Sequence, residues 1–337
     1  MQFRTKARAV DLLGKGQIAD LPTAITELWK NGYDAYADNL KADLYKEGYN
    51  GLSKSYFVIS DDGKGMSGTD VLDKWLVLGT DSKSRAELEE ESEDTLWKRP
   101  RIKAGEKGIG RLSVAYLGNP MLMLTKKIGY PLQAVYFDWR LLENYNLFLD
   151  DIIIPIRSIE KIELLNVHFP ELKKMFLSNF DKEADSDDKP IWEGKQTELR
   201  SDIISETENA ALEEPILNSI LSYFDSEDAH GTMFLVFNPI NQITELSEKD
   251  EDNIDEKMFV ITSLSGFTNP FKEKTINITT TINIHNDSER YDLLTSTGNF
   301  FTRKDFELAD VFIQGKFDGK GAFKGQVRIY DQTIEYE

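Results

Sequence analysis

The sequence predicts an α+β fold of about two domains, and three observations carry this. Residues 17–50 read as helical, with Leu21, Ile25, Leu28 and Ala35 at helix-like spacing. Short apolar runs at 56–59, 121–125, 132–137 and 231–238 have the length and composition of strands. Late in the chain, Ile276, Ile278, Ile282 and Ile284 keep even spacing, the period of a strand. The chain has 337 residues, and at ~150 residues per domain that makes roughly two.

The first helix has a start signal in Asp20 followed by Pro22. The strand Tyr56-Phe57-Val58-Ile59 runs into the turn-rich Asp61-Asp62-Gly63-Lys64-Gly65. Residues 82–107 are polar, with an acidic run at 87–94 and a basic patch at 98–103, and read as a poorly packed, mobile loop. Gly105-Glu106-Lys107-Gly108-Ile109-Gly110 then opens a helix over 111–117, and strands follow at 121–125 and 132–137. Residues 150–228 change character, with helices expected near 158–178 and 208–224 around a polar, acidic stretch, and read as an insertion before the strand GTMFLVFN. Residues 240–258 are linker-like. Phe317-Asp318-Gly319 marks a hairpin turn between strands at 309–316 and 324–330. The last residues keep a strand pattern, so a piece of a longer protein is expected. The resulting division is a first domain over 1–245 and the start of a second, β-rich one over 255–337.

Composition narrows the function. Forty Lys+Arg against fifty-nine Asp+Glu give a net charge of −19. Nucleic-acid coating needs a local excess of cations, so direct nucleic-acid binding by this portion is disfavoured. The absence of cysteine removes disulfides, thiol nucleophiles and thiolate metal sites. His168, His230 and His285 are too dispersed for a zinc site and have ordinary readings as a surface, strand-capping and strand-end residue. No run is long and apolar enough to span a membrane, and the simplest setting is the cytoplasm.

Four segments carry candidate chemistry. In Glu27-Leu28-Trp29-Lys30-Asn31-Gly32-Tyr33-Asp34-Ala35, residues Glu27, Asn31 and Asp34 fall within a ~60° sector of one helix face. A solvated face is the ordinary explanation. Against it, the stripe has no Lys–Glu i,i+4 pair, and Gly32 in mid-helix costs ~1 kcal/mol relative to Ala unless something approaches closely there. Asp61-x-Gly63-x-Gly65-Met66 follows a strand. It is either a plain Asp-Gly turn or a carboxylate that accepts from an exocyclic amine beside glycines against which a flat ring can lie. Gly105-x-x-Gly108-x-Gly110 at a helix start can present N–H groups to phosphates. Gly231-Thr232 heads a strand.

In this order and spacing the four motifs resemble the GHKL ATPases: gyrase, Hsp90, histidine kinases and MutL, with the Morc proteins close by. Residues 105–114 (GEKGIGRLSV) and 75–84 (WLVLGTDSKS) look most like the Hsp90, MutL and Morc branch. The resemblance implies a Bergerat-type two-layer α/β sandwich, a mixed sheet with helices on one face. It implies that ATP and Mg²⁺ bind. Asp61 would take the adenine amine, with Gly63, Gly65 and Thr232 around the ring and Met66 packed on the base. Asn31 would ligate Mg²⁺, Asp34 would order the nucleotide end of its helix, and Glu27 would be the general base for water. Backbone N–H groups around Lys107, Gly108, Ile109 and Gly110 would hold phosphates, with Gly105 opening the box and the Lys107 charge adding to it. Thr80 and Ser82 would sit in the hinge of a lid over 80–107. The implied machine closes its lid on ATP, forms a homodimer, hydrolyses slowly and acts on a client that the motifs do not identify. Two other functions fit the motifs: a non-hydrolytic nucleotide-gated scaffold, and a histidine-kinase-type phosphotransferase, which Glu27 and the lack of a substrate histidine disfavour. The insertion is longer than compact members of the family carry, and reads as a surface elaboration or a partner-binding module.

Overall fold

A computed structural model describes residues 4–13, 16, 18–77, 95–104, 110–185, 188–247, 254–265, 267, 278–287, 289–296 and 308–336. Its centre is an eight-stranded mixed sheet in the order β5-β4-β3-β6-β2-β1-β7-β8. The strands are β1 (Asn39–Tyr45), β2 (Tyr56–Asp61), β3 (Met121–Lys126), β4 (Leu132–Phe137), β5 (Ile156–Ile159), β6 (Gly231–Val236), β7 (Thr279–His285) and β8 (Arg290–Asp292). All neighbours are antiparallel except β1 and β7, which run parallel. Strands β9 (Val311–Phe317), β10 (Phe323–Ile329) and β11 (Gln332–Tyr336) form a separate antiparallel sheet. The hairpin expected at Asp318 is present, and its carboxylate accepts from the N–H groups of Lys320 and Ala322. The fold is therefore α+β with a mixed sheet, as expected.

Helices α1 (Arg8–Leu13), α2 (Leu21–Asp34), α3 (Gly68–Asp70) and α4 (Val114–Leu117) precede the insertion. Helices α5 (Leu165–Leu177), α6 (Lys195–Asn209) and α7 (Glu214–Phe224) form it, and α8 (Asn241–Glu245), α9 (Ile254–Ser265) and α10 (Leu293–Ser296) follow. Helix α2 starts where Asp20 accepts from the Thr23 N–H at 2.8 Å. Leu21, Ala24, Ile25, Leu28 and Trp29 make its buried stripe. Residues 17–50 are not one helix, however. Tyr36 adopts a left-handed φ of 65° and Asp62 takes the N–H groups of Asp38 and Asn39 at 2.8 and 2.7 Å, which turns the chain into β1. Leu40 and Leu44 match a helical spacing yet belong to a strand.

The insertion belongs to the core. Tyr136 of β4 packs edge-on against Phe169 and Phe176 of α5, and Phe169 stacks on Phe237. Tyr56 of β2 donates to Glu213 at 2.6 Å, just ahead of α7, and Tyr45 of β1 meets Ser219 of α7 at 2.8 Å. Tyr136 is an odd number of residues from both Gln133 and Phe137, so it points to the opposite face of the sheet from them, away from α2. Helices α5–α7 thus add a layer behind the sheet, and α2 covers the front.

Candidate functional site

The site is built on the ends of β2, β6 and β3. Register places Asp61 opposite Thr232, and Thr232 opposite Thr125, so three polar side chains form a row across three strands on the α2 face. Asp61 Oδ1 accepts from the Gly63 N–H at 2.9 Å, and Oδ2 has no partner among the described residues. Burial pushes the Asp61 carboxyl up to about 7; the Gly63 N–H opposes this and neighbouring Asp62 adds to it.

Thr125 is the hub of this row. Its hydroxyl accepts from the Met66 N–H at 2.9 Å and contacts Gly231 O at 3.1 Å and Thr232 Oγ1 at 3.0 Å. A carbonyl only accepts, so the single Thr125 proton goes to Gly231, and Thr232 supplies the proton between the two threonines. Thr232 Oγ1 then keeps acceptor capacity for a water or a base. The sequence reading missed Thr125, an unremarkable residue at the end of MLMLT.

Glycines let these elements close together. A Cβ at Gly65, where φ is +62°, would lie 1.9 Å from Lys126 O, so the loop that carries Met66 rests directly on β3. A Cβ at Gly32 would lie 2.6 Å from Leu40 Cδ2 and 2.7 Å from Asp61 Cβ. That is the close approach expected at Gly32, and the partner is the motif aspartate itself. A Cβ at Gly110 would lie 3.0 Å from Glu27 Oε2 and 3.6 and 3.7 Å from the Asn31 amide atoms. The last glycine of the third motif therefore faces the polar stripe of the first. The Asn31 amide has no hydrogen-bond partner among the described residues.

The stripe does contain charge pairing, contrary to the i,i+4 argument. Lys30 pairs with Glu27 Oε1 at 2.6 Å with i,i+3 spacing, leaving Oε2 on the Gly110 side. Asp34 accepts from the Ala104 N–H at 2.7 Å, fixing the residue that leads into the glycine box. Part of the basic patch is anchored, against the expectation of poor packing. The Arg101 side chain is 5% exposed, donates to the carbonyls of Tyr33 and Ala37, and pairs with Asp38. Lys98 reaches Tyr36 O and Asp38. Trp97 and Ile102 on the same segment are exposed. Thr80, Ser82, Gly105, Lys107, Gly108 and Ile109 lie outside the described residues.

The insertion also reaches the site. Tyr223 of α7 donates to the main-chain carbonyl of Asp61 at 2.7 Å, and His230 Nδ1 meets Gly63 O at 2.7 Å. Of the other histidines, His168 pairs with Glu171, and His285 is buried against Asp43 at 2.8 Å and stacked on Tyr45. A cavity of about 520 Å³ lies beside His285, Tyr45 and Tyr49, at the opposite end of β1 from the motif residues.

These groups suit a nucleotide and its metal. Asp61 Oδ2 offers a half-buried acceptor for an amine, Asn31 a hard oxygen for Mg²⁺, and Glu27 Oε2 a base within reach of the same face. No group of three or more acidic or histidine side chains among the described residues makes a metal site. No described helix is long and apolar enough to cross a membrane. The family model described as "Histidine kinase-, DNA gyrase B-, and HSP90-like ATPase" matches residues 19–167. No curated protein matches the chain.

Proposed function

Residues 19–167 belong to the GHKL family of ATPase domains, and we propose that this chain binds ATP with Mg²⁺ and hydrolyses it to ADP and phosphate. The observation that carries the reading is the convergence of Glu27 Oε2 and the Asn31 amide on Gly110. It sets a carboxylate and a hard oxygen ligand against the end of a glycine motif suited to phosphates. Asp61 takes the adenine amine on Oδ2, Thr232 and Gly65 line the ring with Gly63 beneath, and Met66 packs on the base. Asn31 holds Mg²⁺, which neutralises phosphate charge when bound. Asp34 holds the start of the glycine box through Ala104, and the N–H groups of Lys107, Gly108, Ile109 and Gly110 cradle phosphates. Glu27 orients and deprotonates water. Lid closure over 80–107, hinged near Thr80 and Ser82, and an ATP-dependent homodimer of the Hsp90/MutL/Morc kind complete the proposal, with the cytoplasm supplying the ATP.

The test separates binding from chemistry. Glu27→Ala should bind ATP like the parent yet lose ~10²–10⁴-fold in turnover, because the general base acts only as the bond forms. Asn31→Ala should weaken binding and turnover together. Parent-like hydrolysis by Glu27→Ala in a phosphate-release assay would return the stripe to a solvated, ion-paired helix face. Binding without hydrolysis in the parent would favour the nucleotide-gated scaffold.

A further inference from the structure

The insertion and the residue just beyond it grip the same short loop from behind. The loop Asp61-Asp62-Gly63 carries the Asp61 carboxylate, and its own backbone fixes where that carboxylate points. Three contacts define this backbone. Gly63 N–H donates to Asp61 Oδ1 at 2.9 Å. Tyr223 Oη donates to Asp61 O at 2.7 Å, and His230 Nδ1 donates to Gly63 O at 2.7 Å. Both acceptors are carbonyls, so both side chains must supply the proton. Burial and the nearby Asp61 and Asp62 carboxylates push the Tyr223 phenol up, which keeps it protonated.

The neighbouring backbone is shaped around this grip. Gly231 has φ +129°, and a Cβ there would lie 2.1 Å from Asp61 O and 2.9 Å from Tyr223 Oη. Glycine at 231 therefore lets β6 pass close enough for the phenol to reach the end of β2. Helix α7 is held at its start by the Tyr56–Glu213 bond, at its middle by the Tyr45–Ser219 contact and along its length by buried Ile216, Ile220 and Phe224. Tyr223 thus projects from a helix packed into the back layer, and its hydroxyl is a fixed point.

We propose that Tyr223 and His230 are positioning residues for base recognition: they hold the Asp61 and Gly63 carbonyls so that Asp61 Oδ2 is aimed at an adenine amine. The inference rests on the reading of Asp61 as the amine acceptor. It gives the 150–228 insertion a role in ATP specificity: it braces the adenine subsite from the face of the sheet opposite the nucleotide.

The experiment compares ATP with purine riboside triphosphate, which lacks only the exocyclic amine. Calorimetric affinities are measured for the parent, Tyr223→Phe, His230→Leu and His230→Gln. The parent should prefer ATP. Tyr223→Phe and His230→Leu should each lose about 2- to 10-fold in ATP affinity, as for one neutral hydrogen bond, with little change for the amine-free analogue. His230→Gln should restore the ATP preference, because its amide N–H can donate to Gly63 O. Equal weakening of both nucleotides, or a full ATP preference in Tyr223→Phe and His230→Leu, would overturn the positioning role while leaving Asp61 as the acceptor. A parent that binds both nucleotides equally would overturn the Asp61 reading and this inference together.

Discussion

At the scale of single residues, the role proposed for Asp61 is set against stability. Its carboxyl titrates at about 7 in the folded chain against an ordinary 3.8, raised chiefly by burial. Between those values the folded state keeps a proton that the unfolded state has released. Stability therefore falls as pH rises from about 4 to about 7, by up to a few kcal/mol from this group. Asp61→Asn keeps an oxygen for the Gly63 N–H and cannot ionise. At pH 8 it should be more stable than the parent in urea titrations, and the difference should shrink towards pH 4. The same variant should bind ATP roughly 10- to 100-fold more weakly, since a charge-assisted hydrogen bond of ~1.5–3 kcal/mol is lost. In the parent, ATP should select the ionised carboxylate. Affinity should then rise with pH up to about 7 and level off above it, with proton release visible as a buffer-dependent heat. A pH-independent affinity would remove Asp61 from the adenine subsite. The motif residues Glu27, Asn31, Asp34, Asp61 and Thr232 were legible in the sequence because type and spacing alone single them out. Thr125 and Tyr223 were not, since one is an ordinary strand end and the other one aromatic residue among many in an insertion. Only the pairing of β3 with β6 and the packing of α7 bring them to the site.

At the scale of elements, the glycine in the middle of α2 decides how the helix meets the sheet. Gly32→Ala would gain up to ~1 kcal/mol of helix propensity in isolation. Here the added methyl must fit where Leu40 Cδ2 lies at 2.6 Å and Asp61 Cβ at 2.7 Å. Overpacking of this kind costs ~1–3 kcal/mol, so the substitution should be net destabilising and should weaken ATP binding by moving Asp61. A stabilised Gly32→Ala with parent affinity would mean that α2 tolerates a wider gap. The basic segment after the acidic run makes a second element-scale case. Arg101 donates to the Tyr33 carbonyl in the last turn of α2 and to the Ala37 carbonyl just past it, and lies 5.1 Å over the Tyr33 ring. Arg101→Ala should therefore speed tryptic cleavage after Lys98 and Lys103, whereas cleavage at the parent's rate would make the anchor dispensable. Local patterns located most strands and the C-terminal ends of α5 and α7, but not β1, β5, β8 or α6. Leu40 and Leu44 mimic a helical stripe, and what ends α2 is a side chain 24 residues away, the Asp62 carboxylate that takes the Asp38 N–H. The polar, weakly amphipathic sequence of α6 likewise gives no clear period.

At the scale of the whole molecule, long-range pairing sets the architecture. Strand β7 lies parallel to β1 across a separation that no local window spans, and so joins the first sheet although it follows the linker-like 240–258 stretch. The insertion closes the other face, with Tyr136, Phe169, Phe176 and Phe237 as its aromatic seam. A ligand that binds only this assembled state must stabilise it by mass action. Mg-ATP at ~100 times its dissociation constant should add about 2.7 kcal/mol, and the same concentration of Mg²⁺ alone should add much less. The proposed dimer is tested in the same state. Glu27→Ala should bind ATP without turning it over, so the ATP-bound form persists for the length of a sedimentation run. If ATP favours association, that variant should sediment near twice its 38.5 kDa mass with Mg-ATP and near 38.5 kDa with Mg-ADP. Asp61→Asn, at an ATP concentration too low to fill its weakened site, should stay at the single-chain mass. A Glu27→Ala protein saturated with ATP yet still sedimenting as one chain would show that nucleotide binding by these residues does not drive association. The ATP site would then be a hydrolytic or signalling module complete within one chain.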